Sequence, residues 1–116
     1  MRKLNVGAND NTAVFAVDEK GPGGANHVYE IISLEKPIGL CKVDFQKGPI
    51  KESGINGIQN EDLLAIVIDR LQGFQKGDFA CKENARALLD LYGALINLQK
   101  RTKKREKRGV EGTNQV

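Results

Sequence analysis

Two apolar-patterned stretches joined by little more than a turn constrain this chain more than anything else in it. From Asn56 to Phe74, residues Leu63, Leu64, Ile66, Val67, Ile68 and Leu71 read as one helix. From Asp78 or Ala80 onward, Cys81, Ala85, Leu88, Tyr92 and Leu95 recur at spacings of 4, 3, 4 and 3 and read as a second. Only Gln75–Phe79 lies between, with Gly77 able to end a helix. Helices joined so briefly must run antiparallel. Asn56 with Gln59 predicts a capping box at the start of the first helix, and Glu61 and Asp62 suit its positive dipole end. Gly109 and Gly112 end the second helix, leaving Thr113–Val116 as an expected frayed tail.

The N-terminal half carries a different period. Ala13–Val17, Val28–Ile32 and Leu40–Gln46 are short runs rich in β-branched and aromatic residues. They are separated by Asp18–Gly24 and by a break at Pro37 and Gly39. In the last run Cys41, Val43 and Phe45 share one face. The predicted class is α+β: a small antiparallel meander over residues 1–50, then the helical hairpin over 51–116. At 116 residues the two parts are expected to form one compact domain.

Leu63–Ile68 is apolar without interruption, so more than one side of the first helix needs covering. In so small a chain this predicts a homo-oligomer. Cys41 and Cys81 lack companion cysteines and are expected as buried thiols in a reducing compartment, with a disulfide between them as the alternative. No apolar run approaches the ~18 residues of a membrane span, and Met1–Asn5 opens no signal-like segment. A soluble, cytoplasmic protein is expected.

Catalytic chemistry has few candidates. His27 is the single histidine, which excludes a two-histidine metal site, and it reads as a polar strand-end residue. There is no Cys-x-x-Cys and no Walker-type phosphate loop. The adjacent pairs Asp18/Glu19 and Glu61/Asp62 are ordinary for a turn and a helix start. The prediction is a non-enzyme with no catalytic residue, no metal and no cofactor.

Charge supplies the functional signal. The formal net charge is only +3, yet seven of the nine residues from Lys100 to Arg108 are Lys or Arg. Arg101, Arg105 and Arg108 are spaced 4 and 3, so three guanidiniums share a helical face suited to phosphate. The same run also reads as a solvated helix end complementing the dipole. At the opposite end of the hairpin, Phe74, Phe79 and Asn84 offer rings to stack on a base and an amide to read its edge. Those two rings can equally cap the hairpin core. An alternative is a small RNA- or DNA-binding module using the Lys100–Arg108 helix, for which two Tyr, four Phe and no Trp leave few stacking platforms.

Three segments carry a resemblance: Phe45–Ile58 (FQKGPIKESGINGI), Asp69–Asn84 (DRLQGFQKGDFACKEN) and Arg101–Thr113 (RTKKREKRGVEGT). Together they resemble the Tad1 (Thoeris anti-defence) group of phage proteins, whose hairpin is similar to that of the anti-CBASS Acb2 proteins. The resemblance implies a sponge in the cytoplasm of the infected host that holds immune signalling nucleotides intact. The implied ligands are cyclic ADP-ribose isomers from TIR enzymes and, for some members, cyclic oligonucleotides in separate pockets of a hexamer. It further implies stacking by Phe74, base or ribose hydrogen bonding by Asn84, and pyrophosphate clamping by Arg101 and Arg105. Asp78 and Lys104 depart from the pattern. Asn84 and Arg101 lie 17 residues apart, so about 25 Å along one helix. A small nucleotide touching both needs two subunits.

Overall fold

The computed structural model describes residues 1–36 and 38–116; Pro37, read above as part of a break, lies outside them. The chain divides into two compact units, Met1–Ile58 and Gln59–Val116. The segment following the last strand returns to the sheet and belongs to the first unit.

In the first unit, period-2 sequence becomes a four-stranded antiparallel meander in chain order. Its strands are β1 (Arg2–Lys3), β2 (Thr12–Ala16), β3 (Val28–Ser33) and β4 (Gly39–Asp44). The two-residue β1 carries no pattern that a period could reveal. Register sets Val14 opposite Ile31, Ile31 opposite Cys41, Ala16 opposite Tyr29 and Tyr29 opposite Val43. One face is therefore apolar, and Phe45 extends it by meeting Tyr29 edge-on at 5.8 Å.

The β2–β3 connection is organised by Asp18. Its carboxylate accepts the backbone N–H of His27 at 3.0 Å and of Val28 at 3.2 Å, and the Asn26 amide at 3.2 Å. Arg2 in turn donates to the Asn26 side-chain oxygen at 2.7 Å. Burial pushes the Asp18 carboxyl up, but these donors outweigh it and hold the carboxyl below its ordinary value. His27 is buried with Nδ1 unpartnered, a strand-end residue as its position predicts.

Residues 45–58 close on themselves. Ile58 donates to the Asp44 carbonyl and accepts from the Gln46 N–H, both at 2.9 Å, forming a parallel bridge with Phe45. The loop holds the short α1 (Ile50–Ser53). Gln46 donates to the Gly54 carbonyl at 2.7 Å and accepts from the Asn56 N–H at 2.9 Å. Asn56 accepts from the Lys47 N–H at 2.8 Å and donates to its carbonyl at 2.7 Å. Gly57 lies so close to Phe45 that a Cβ would stand 2.4 Å from its carbonyl carbon. Asn56 is thus a loop lock, which corrects its expected place in a capping box.

The helix start moves accordingly. In the second unit, α2 spans Asn60–Gln75, and the Gln59 N–H donates to Asp62 at 2.8 Å. The reciprocal-cap chemistry exists three residues later than predicted, with Gln59 as the cap and Asp62 as its partner. α3 spans Lys82–Lys107, 26 residues, with the Cys81 sulfur accepting the Asn84 N–H at 3.4 Å. Both cysteines are free and exposed, not buried as expected: Cys41 lies on the edge strand and Cys81 in the turn between the helices.

α2 and α3 pack against each other, but the seam differs from the predicted stripe. Asn84, Leu88, Leu91, Leu95, Leu98, Thr102 and Arg105 are partly covered, whereas Cys81, Ala85 and Tyr92 are exposed. The leucines at 91 and 98 shift the stripe by about one residue and carry it without interruption to Arg105. Opposite them Ile68 is buried, with Leu64, Leu71 and Phe74 half-buried. α3 ends in a Schellman motif: Gly109, at φ +71, donates to the Glu106 carbonyl and Val110 to the Arg105 carbonyl, both at 3.0 Å.

Candidate functional site

The six residues singled out in the sequence all fall in the hairpin unit, at its two ends. At the turn, Gln75 ties the connection by donating to the Cys81 carbonyl at 3.1 Å and accepting its N–H at 3.0 Å. That lock fixes the geometry of the residues on either side. Phe74 and Phe79 meet nearly edge-on with centroids 6.3 Å apart. Phe74 is half-buried, while Phe79 is 77% exposed and so presents its ring to any ligand. Asn84 donates to the Phe79 carbonyl at 3.3 Å, which pins the turn to the first coil of α3. The structure therefore brings Phe74, Phe79 and Asn84 together.

At the far end the three arginines part company. Arg101 is exposed and makes no side-chain hydrogen bond or ion pair among the described residues. Arg105 has a side chain only 11% exposed, which makes it part of the fold and not a surface cation. Its Nε donates to Glu111 at 3.0 Å, Nη1 to the Gln115 carbonyl at 2.6 Å, and Nη2 to the carbonyls of Val110 at 2.9 Å and Thr113 at 3.2 Å. A guanidinium has five N–H donors, so one is left. Arg108 Nη1 donates to the Val116 carbonyl at 2.8 Å. The segment after Gly109 is therefore tied back by two arginines, with Val110 buried beneath it, and the expected frayed tail is corrected. A bidentate phosphate bond at Arg105 requires one of these contacts to be given up.

Two contributors escaped sequence reasoning: Glu111 lies between the two glycines read as ending the helix, and Arg70 was passed over. Gln75 belonged to the polar cluster at the hairpin turn, but its role as the lock on Cys81 left no sequence signal. Arg70 stands one helical turn before Phe74, with Cζ 5.1 Å from the ring centroid, so an i, i+4 cation–aromatic search finds it. Among the described residues no group of three His, Cys, Asp or Glu is placed to hold a metal ion. No helix there is long and apolar enough to cross a membrane.

Asn84 and Arg101 occupy one unbroken helix, so the tip and the free arginine stand roughly 25 Å apart in a single chain. Residues 38–102 match the family described as the Acb2/Tad1 hairpin domain. The chain belongs to the Acb2/Tad1 hairpin family. The matched span contains Phe74, Phe79, Asn84 and Arg101; Arg105 and Arg108 follow it. The protein named Thoeris anti-defense 1, from Bacillus phage SBSphiJ7, is 57% identical over 76 residues, covering 66% of this chain and 54% of the relative. The chain thus spans about half the length of that Tad1 relative.

Proposed function

We propose that this chain is a phage anti-defence protein that captures a bacterial immune signalling nucleotide and holds it uncleaved. The observation that carries the reading is that the family match runs through both the aromatic–amide tip and Arg101. The named relative is an anti-defence protein against Thoeris, and that role is transferred here as part of the proposal. The ligand class is a cyclic ADP-ribose isomer made by a TIR enzyme, with cyclic oligonucleotides of CBASS systems as further candidates. Its base stacks at Phe74 and Phe79, Asn84 bonds the base or ribose, and Arg101 clamps the pyrophosphate. Arg105 contributes its remaining N–H and Arg108 adds charge.

The separation of tip and clamp requires two copies of the chain. Exposed apolar side chains available for their association are present on both helices: Ile66 and Val67 on α2, and a stripe of Leu89, Tyr92 and Ile96 at spacings of 3 and 4 on α3. An antiparallel dimer of hairpins would set one copy's tip against the other's basic end, and dimers can assemble further to a hexamer. The site of action is the cytoplasm of the infected host.

The test is to incubate purified protein with extract from cells making a TIR-derived signal, remove free ligand, heat the protein and identify what is released. Release of unchanged nucleotide supports capture. A cleaved product overturns it in favour of an enzyme, and no released nucleotide overturns it in favour of nucleic acid or protein partners. Val67→Asp, at an exposed apolar position of α2, should give a monomer that no longer retains the nucleotide if that side is the interface; full retention by a proven monomer sinks the two-copy pocket.

A further inference from the structure

Arg70 stands against the aromatic pair yet belongs to none of the residues assigned so far. Its guanidinium lies over Phe74, and the side chain is exposed. Among the described residues no carboxylate lies within ion-pair distance of it, although Asp69 and Asp78 are close in sequence. A guanidinium resting on a ring is held in place without being neutralised. The ring covers one of its flat faces, which water solvates weakly, and the N–H donors around its edge stay available. Holding such a cation in advance reduces the entropy lost when an anion arrives. The neighbouring Phe79 ring is exposed, and Asn84 is engaged only through its Nδ2, leaving its carbonyl oxygen for a ligand. A flat apolar surface, an amide acceptor and a fixed, unneutralised cation thus converge on one turn.

We propose that Arg70 is a phosphate-reading specificity residue: with a nucleobase stacked at Phe79 and Phe74, its guanidinium edge takes the phosphate attached to that nucleoside. The inference rests on the nucleotide-capture reading and deepens it. Each pocket then draws cations from both copies, Arg70 from the tip and Arg101 from the opposing basic end. The two phosphates of a pyrophosphate are gripped separately. An unphosphorylated nucleoside gains only the stacking.

The test is a titration of the 116-residue chain with the purified cyclic ADP-ribose product of a TIR enzyme, comparing wild type with Arg70→Met and Arg70→Lys. Met keeps an apolar stem over Phe74 and removes the charge; Lys keeps the charge and loses the planar fork. A phosphate reader predicts a loss of roughly 30-fold for Met, the scale of a charge-assisted hydrogen bond, with Lys within about fivefold of wild type. Unchanged affinity in Arg70→Met, or equal losses in both variants, overturns the proposal and leaves Arg70 as packing on Phe74. If the wild-type chain itself takes up no nucleotide, the capture reading falls and this one with it.

Discussion

At one end of the hairpin the polar side chains lock backbone and leave one aromatic ring in the open beside a half-buried second. At the other end a buried arginine is consumed by its own chain while its neighbour on the same helix stays free. Gln75 and Asn84 spend their amides on the turn, so Phe79 is exposed on a rigid support. Arg105 spends most of its donors on residues 110–115, and Arg101, one turn earlier, spends none among the described residues. Equal spacing therefore does not mean equal role. The charge that matters for a ligand is the one the fold has not already satisfied.

The sharpest way to break this contrast is to reverse the free charge. Arg101→Glu should weaken nucleotide retention by at least about 100-fold, since a charge-assisted contact is lost and a repulsion gained. Its melting temperature should stay close to wild type, because an exposed residue without partners supports no structure. A loss of folding instead would show that Arg101 is committed elsewhere and erase the distinction.

Arg105→Met provides the opposite half. Removing a mostly buried guanidinium leaves Glu111 and the Thr113 and Gln115 carbonyls without their donor, while the Val110 carbonyl keeps only its bonds from Thr113. The expected cost is about 2–3 kcal/mol of hairpin stability, read by denaturant unfolding. Amide exchange should show the 109–116 segment released. If Arg105→Met abolishes retention while stability and exchange are unchanged, Arg105 is a ligand residue first and the division of labour proposed here is reversed.

How far the sequence foretold this depends on which signals were local. The meander and the two helices were legible because period 2 and period 3.6 are written into consecutive residues. The seam was nearly legible: continuing Leu91, Leu95 and Leu98 by 4 and 3 reaches Thr102 and Arg105, which places Arg105 inside and Arg101 beside the seam. What hid this was the composition of the Lys100–Arg108 run, which reads as uniformly solvated. The start of α2 was misplaced because Asn56 satisfies the sequence rule for a cap while its amide serves Lys47 across a closed loop. Partners separated in sequence, such as Gln46 with Asn56, leave no periodic trace. The cysteines were misjudged for a similar reason. Burial was inferred from residue type, whereas an edge strand and a helix cap decide exposure.

A smaller effect sharpens the account of the tip. Gln75→Leu keeps the side-chain volume and removes the two bonds to Cys81, at a cost of about 1–2 kcal/mol. Phe79 would then sit on a looser turn. Nucleotide retention should fall about 3- to 10-fold through lost preorganisation, with the ring itself intact. Retention equal to wild type, alongside a measured loss of stability, would mean that the rings bind without needing a rigid support.

The contrast between committed and free charge extends to the sheet unit with the sign inverted, and there pH is the probe. Asp18 accepts the N–H groups of His27 and Val28 and the Asn26 amide, which hold its carboxyl below the ordinary value of 3.8. A depressed carboxyl contributes stability that is fully present above the unfolded-state pKa and is lost as pH falls through the lower folded value. Amide exchange at His27 and Val28 should therefore be well protected down to about pH 4 and lose protection below it. Asp18→Asn keeps an acceptor oxygen but no charge, so its protection should be lower above that point and nearly independent of pH below it. The expected change is the smallest of the set because the group is solvent-accessible and screening weakens its contacts. A wild-type profile that stays flat through this window would mean that the β2–β3 connection is held by its backbone pairing alone.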